Sequence, residues 1–345
     1  MLGHFRSINF LPAVVATLWL IYLPYASSSI NTTVKVYDNV LPDSTRTLLL
    51  DEVSAWQKEG VMFEFPLEHP LNHSIIEQIL NNIMIELYPE ESKAASPKFY
   101  VEYWKRQEWH IVLAHADMDE HHGREVEKSA NAGSDVKFKH PETGHVLYLR
   151  IGEKTQGPTV VFNRTFGGDL VSEEKSDMIV VPAVESRLLR FQGHLLHGVP
   201  RPADLWMNVD LYEPHPIHDA EHERSVLLFN TWPVDKHKLQ GKKLQKPHSD
   251  STFTDTDSYQ AHRFDQWQEV KVVDASVDLV ESTTKMHDMQ VPLMGDTLRR
   301  KTSEHVAWVD TPLQSQEAFR QPNTPTKLWV QPKSKPWFKF WGIEF

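Results

Sequence analysis

The chain has 345 residues, no cysteine and a formal net charge of −11. Without cysteine there are no disulfides, thiolate zinc sites or cysteine nucleophiles, and the acidic balance argues against nucleic acid and anionic membrane surfaces as partners. The length accommodates one large domain with extensions.

Residues 1–26 set the expected address. Arg6 is the only formally charged side chain among them, and Ile8 to Ala26 is apolar apart from Asn9 and Thr17, with Ser27, Ser28 and Ser29 following. A weakly basic start, an apolar run and then small residues read as a secretory signal peptide. The run is close to the ~20 residues that span a bilayer, so an uncleaved type II membrane anchor is the alternative, and membrane attachment is expected only in that case. Three sequons, at Asn31, Asn72 and Asn163, fit a glycoprotein of the secretory pathway, either in the ER or Golgi lumen or secreted.

Residues 27–94 read as a helical support. Ser44 to Val53 starts with a capping-type residue and carries an apolar face, while Ser74 to Leu87 repeats Ile and Leu at helical spacing until Tyr88-Pro89 stops it. These apolar positions are packing surface.

Between residues 95 and 235 the pattern changes to strands. Phe99–Trp104, His110–His115, His145–Ile151, Thr159–Phe162, Met178–Val181, Arg187–Phe191 and Ser225–Asn230 are short runs rich in β-branched and aromatic residues. Many short strands without intervening helices predict a sandwich or jelly-roll barrel. Residues 236–345 read as a C-terminal extension, partly flexible. It contains a basic stretch, a polar tract from Ser249 to Tyr259 and one further strand in Glu269–Leu279. The proline-rich end is crowded with Trp329, Trp337, Phe338, Phe340 and Trp341, and is expected to pack back onto the domain.

Within the strand region, His115-Ala-Asp117 carries the chemistry. Residues i and i+2 of a strand share a face, so an imidazole and a carboxylate can aim at one point. Two histidines and one carboxylate on one face of an octahedral ion leave three open positions, an arrangement that favours Fe(II).

The ordered set of motifs around it resembles the iron(II)- and 2-oxoglutarate-dependent dioxygenase superfamily, in its prolyl-hydroxylase-like branch. The set runs from Glu102-Tyr-Trp104 through His115-Ala-Asp117, His140-Pro141, Val146-Leu-Tyr148-Leu149, Gly157-Pro-Thr159 and Leu189-Arg-Phe191-Gln-Gly193. It ends in His194-Leu-Leu-His197-Gly-Val199 and Arg224 to Trp232. The resemblance implies a mostly β fold with supporting helices around a double-stranded β-helix (jelly-roll) core. It also implies His115, Asp117 and His197 as iron ligands, with His194 the rival for the third place. By the same resemblance Arg224 binds the distal carboxylate of 2-oxoglutarate, and Arg201 is its alternative.

Tyr148 occupies a place where some relatives add a phenol hydrogen bond to that carboxylate, and inward core packing is the competing role. Asn230 and Trp232 are read as structural, and His121 and His122 as solvated loop residues. The interval from His197 to Arg224 is longer than in close relatives of prolyl hydroxylases, so Pro200–Glu223 reads as an inserted loop. The cofactors implied are Fe(II), 2-oxoglutarate as co-substrate and O2, with ascorbate as a candidate reductant. The reaction implied is hydroxylation of a C–H bond in an unidentified substrate, a peptidyl residue or a small molecule. A secreted cupin-like protein that holds a metal or carbohydrate without turnover, and an interaction protein with a partner-binding aromatic tail, are the alternative readings.

Overall fold

The computed structural model describes residues 34–55, 62–67, 74–107, 112–119, 122, 139–152, 157–165, 176–199, 201–202, 223–234, 264–274, 286–293, 305–312 and 323–333. All of them belong to one unit, Thr32–Phe345. The expected leader, the sequons at Asn31 and Asn72, the polar tract 249–259 and the aromatic residues 337–341 lie outside the described residues. Among the described residues no helix is long and apolar enough to cross a membrane.

In chain order the elements are β1 (Lys35–Asp38), α1 (Asp43–Ser54), β2 (Phe63–Pro66), α2 (Ile75–Leu87), β3 (Phe99–Gln107) and β4 (Val112–His115). Then follow β5 (Thr143–Ile151), β6 (Thr159–Thr165), β7 (Ser176–Val181), β8 (Leu188–Gln192), β9 (Leu195–Val199), β10 (Arg201–Pro202) and β11 (Arg224–Pro233). The last are β12 (Gln268–Glu269), β13 (Val273–Asp274), β14 (Met286–Leu293), β15 (His305–Pro312) and β16 (Thr326–Lys333). The fold is mostly β, in largely antiparallel sheets, with supporting helices.

The helix α2 starts as its sequence predicts. Ser74 accepts from the Glu77 N–H at 3.2 Å and Glu77 accepts from the Ser74 N–H at 3.0 Å, a reciprocal cap. In α1 the start differs from expectation: Pro42 is the N-cap, with no side-chain cap hydrogen bond, and Ser44 lies inside the helix. Proline suits that place because its fixed φ and missing N–H cost nothing where the first amides are unpaired anyway. The segment read as a helical support also holds strands β1 and β2.

One sheet has the order β12-β1-β8-β5-β11-β3-β2, and the other β10-β14-β15-β16-β7-β6-β9-β4. From β3 to β9, and again at β11, the chain passes back and forth between the sheets, staying in one only from β6 to β7. Four central strands result in each, β8-β5-β11-β3 facing β7-β6-β9-β4.

Strand alternation separates two cores. Leu147, Leu149, Leu188, Leu227 and Phe229 join Leu49, Val53, Ile79, Leu80, Ile83 and Met84 under the helices. Their neighbours Val146, Tyr148, Leu189, Phe191 and Val226 join Val161, Ile179, Val181 and Leu195 between the sheets. A sheet buried on both faces reads as a continuous apolar run, which explains Val-Leu-Tyr-Leu at 146–149 and Val-Leu-Leu-Phe at 226–229.

The C-terminal segment holds more strand than its sequence predicts. Of Glu269–Leu279, only Glu269 and Val273–Asp274 are strand among the described residues, whereas β14, β15 and β16 were not anticipated. Each of these three contains a proline (Pro292, Pro312, Pro332), which reads as a breaker in sequence. Pro292 lies opposite Val306 of β15, between the short pairing of β14 with β10 at Met289 and Gln290 and its contact with β4 at Leu293. Strand β16 pairs with β7, and Leu293 of β14 pairs with Ala114 of β4, so the C-terminal strands flank the four strands β7-β6-β9-β4 at both edges.

Candidate metal centre

The centre is built by one strand pair and the residues just beyond it. Strand β4 lies antiparallel to β9 with His115 directly opposite His197. Gly198 permits the close approach: a Cβ there would stand 2.7 Å from the Val112 carbonyl oxygen and 3.0 Å from Ala114 Cα. The imidazole centroids of His115 and His197 are 4.6 Å apart.

Asp117 lies past the end of β4, not within the strand as expected. Its carboxylate still meets both rings, with Oδ1 3.6 Å from His115 Nε2 and Oδ2 3.7 Å from His197 Nε2. One donor atom from each of the three lies within 4.8 Å of the others, close enough to share one cation. Their side chains are only 10–19% exposed.

Local hydrogen bonds prepare the donors. His197 Nδ1 donates to the Leu195 carbonyl at 3.1 Å, which leaves Nε2 with its lone pair toward Asp117. Burial, against the opposing pull of Asp117 and with the charges of His115 and Arg106 adding to it, pushes His197 down to about 4. The imidazole is therefore neutral near pH 7. Burial alone would push the Asp117 carboxyl up, but His197, His115 and the Asn230 amide together hold it well below the usual carboxylate range. His140 Nδ1 donates to the Asp117 carbonyl at 2.7 Å and pins the backbone. Phe191 backs His197, ring centroids 4.6 Å apart.

His194 is not part of the cluster: it sits half-buried in the turn between β8 and β9. Burial, then the charge of His140, lowers its pKa. His122 donates its backbone N–H to Asp119 Oδ1 at 2.9 Å, while His121 lies outside the described residues. Arg201 forms β10 and pairs with Gln290 of β14.

A second polar cluster lies between the same two sheets. Arg224, buried at the start of β11, donates from Nε to the Gly157 carbonyl at 2.8 Å and from Nη2 to Thr159 Oγ1 at 3.1 Å. Tyr148 donates its hydroxyl to the same Thr159 Oγ1 at 2.6 Å, and the guanidinium carbon stands 5.4 Å from the Tyr148 ring centroid. Val161, two residues beyond Thr159 on β6, pairs directly with His197. Thr159 is therefore about 7 Å along one strand from the level of the histidines.

The sequence reading quoted Thr159 in a motif and missed its role as the shared acceptor of Arg224 and Tyr148. It took Asn230 as structural, but Asn230 Nδ2 donates to Asp117 Oδ2 at 3.1 Å. Trp232 does keep a structural partner, donating from Nε1 to Glu102 Oε2 at 2.9 Å. Asn163 of the third sequon sits on β6, its amide oxygen buried.

No protein family and no curated protein matches the chain. Among solved structures it is similar to HygX from Streptomyces hygroscopicus. The iron-bound form is 12% identical with TM-score 0.35, covering 59% of this chain and 83% of that one. The form with nickel, 2-oxoglutarate and hygromycin B is 12% identical with TM-score 0.34, covering 63% and 90%. A truncated viral collagen prolyl hydroxylase from Paramecium Bursaria Chlorella virus-1 is 12% identical with TM-score 0.33, covering 58% and 90%. Likeness at this level fixes neither family nor reaction.

Proposed function

We propose that this protein is an Fe(II)- and 2-oxoglutarate-dependent dioxygenase whose eight central strands form a double-stranded β-helix. The observation that carries the reading is the meeting of His115, Asp117 and His197 at one point. Their donor set fits Fe(II): two imidazoles, one with its tautomer set by a backbone carbonyl, and one carboxylate held ionised. When bound, iron with 2-oxoglutarate and O2 supplies the oxidation that converts a C–H bond to C–OH, with release of succinate and CO2.

The chain's own residues do the holding and orienting. His115, Asp117 and His197 would hold the cation, leaving coordination positions for the co-substrate and O2. Arg224 offers a guanidinium, always charged and suited to a carboxylate, at the floor of the barrel. Thr159 and Tyr148 set its direction and add hydroxyl groups for the same carboxylate. The apolar walls Val161, Leu189, Phe191 and Val226 exclude water from between the sheets.

The same reading extends to a peptidyl or small-molecule substrate and to an address in the secretory pathway, with ascorbate as a reductant. These rest on the sequence alone.

The test is the visible absorption of anaerobic protein titrated with Fe(II) and then 2-oxoglutarate. A charge-transfer band on adding the co-substrate supports the reading. Iron binding without such a band overturns it in favour of a metal-binding protein without turnover.

A further inference from the structure

Asn230 donates from Nδ2 to the Asp117 carboxylate at 3.1 Å, and its surroundings are built for that bond. It lies on β11 opposite Gly144 of β5 and Glu102 of β3, and it is 2% exposed. A Cβ at Gly144 would stand 3.3 Å from Asn230 Oδ1 and 2.8 Å from the Phe191 ring. The missing side chain thus leaves room both for the amide that holds Asp117 and for the ring that backs His197. A glycine in mid-strand weakens a sheet, so its presence here has a packing reason.

The geometry points to Asn230 as a positioning residue that holds Asp117 to coordination through one oxygen. Its amide fixes the torsion of the carboxylate and draws charge from Oδ2, which disfavours both oxygens closing on the same cation. A carboxylate that closed with both would take a position needed by 2-oxoglutarate or O2. Asn230 shares β11 with Arg224, so one strand would carry the donor that orients the iron ligand and the cation that receives the co-substrate. This inference rests on the dioxygenase reading.

The experiment compares full-length wild type with Asn230→Leu, which keeps the side-chain volume and removes the donor. Fe(II) affinity is measured anaerobically, and the charge-transfer band is then recorded on adding 2-oxoglutarate. The expected result is Fe(II) binding weaker by about 10- to 100-fold, as for other partners that orient metal ligands, with a displaced or lost band. A merely structural asparagine would lower the unfolding midpoint and leave the band of loaded protein in place. Asn230→Ser, whose hydroxyl is too short to reach Asp117, carries the same test if the leucine variant does not fold.

A variant with wild-type affinity and an unmoved band overturns this inference alone. A wild-type protein that binds iron but shows no band overturns the dioxygenase reading, and this inference with it.

Discussion

His115 and His197 stand directly opposite each other across the β4–β9 pair, and the Asp117 carboxylate bridges the space between their Nε2 atoms at 3.6 and 3.7 Å. A cross-strand pair is set by register, so a slip of one residue would turn one imidazole to the other face. The centre thus depends on strand pairing as much as on residue identity.

The two candidate third histidines are separable by metal binding. His197→Ala is expected to weaken Fe(II) binding by more than about 100-fold, because it removes a donor and not only its support. His194→Ala should leave the affinity within about threefold. Anaerobic calorimetric titration measures both, and equal losses would disprove the assignment of His197.

Arg224 and its two hydroxyl neighbours should control the co-substrate. Arg224→Gln is expected to weaken 2-oxoglutarate binding to iron-loaded protein by about 2–4 kcal/mol, the loss typical of a buried charge partner. Tyr148→Phe and Thr159→Val should each cost about 1 kcal/mol, one hydrogen bond apiece. Fluorescence titration with 2-oxoglutarate reads all three, and an unchanged affinity in Arg224→Gln would move the carboxylate elsewhere.

A buried histidine outside the three-residue cluster predicts acid sensitivity. His145 stacks on Phe229 at 4.4 Å and donates from Nδ1 to the Phe229 carbonyl, while Nε2 is buried with no hydrogen-bond partner. Burial, then the charge of Arg190, pushes its pKa down to about 3 from 6.5. The unfolded state therefore binds the extra proton between those values. Stability is complete above about pH 6.5 and falls as pH drops toward 3. The loss from this group between pH 7 and pH 5 is about 2 kcal/mol. Urea unfolding at the two pH values should show a smaller drop for His145→Leu, and an identical drop would refute the account.

The Arg187–Asp38 pair ties distant parts of the chain together. Fully buried Arg187 donates to Asp38 at 2.6 and 2.9 Å, to the Pro182 carbonyl at 2.9 Å and to the Asn323 carbonyl at 2.8 Å. Asp38→Asn leaves that guanidinium without its charge partner, and about 3 kcal/mol of stability should be lost. Arg187→Met should cost less, since no charge then remains buried alone. Chemical denaturation of both variants checks the order.

Much of the architecture was legible along the chain because local chemistry dictated it. Ser74 and Glu77 marked the start of α2, and β-branched and aromatic runs marked β3, β5, β7 and β8. The triplet His115-Ala-Asp117 is a weak signal by itself in a chain with 19 histidines, and the ordered motifs around it singled it out. The prolines at 292, 312 and 332 hid β14, β15 and β16, since proline reads as a strand breaker in sequence although each of them stands at or next to a strand end here.

By itself, then, the sequence singled out His115, Asp117, His197 and Arg224 as candidates and marked the strands whose β-branched and aromatic runs are local, among them β3, β5, β7 and β8. Tertiary structure alone brought His197, and not His194, beside His115 and Asp117, placed Thr159 between Arg224 and Tyr148, and set the Asn230 amide on the Asp117 carboxylate. Each of those choices depends on register between strands far apart in the chain. Spacing along one strand carries no information about which residue of another strand it will face.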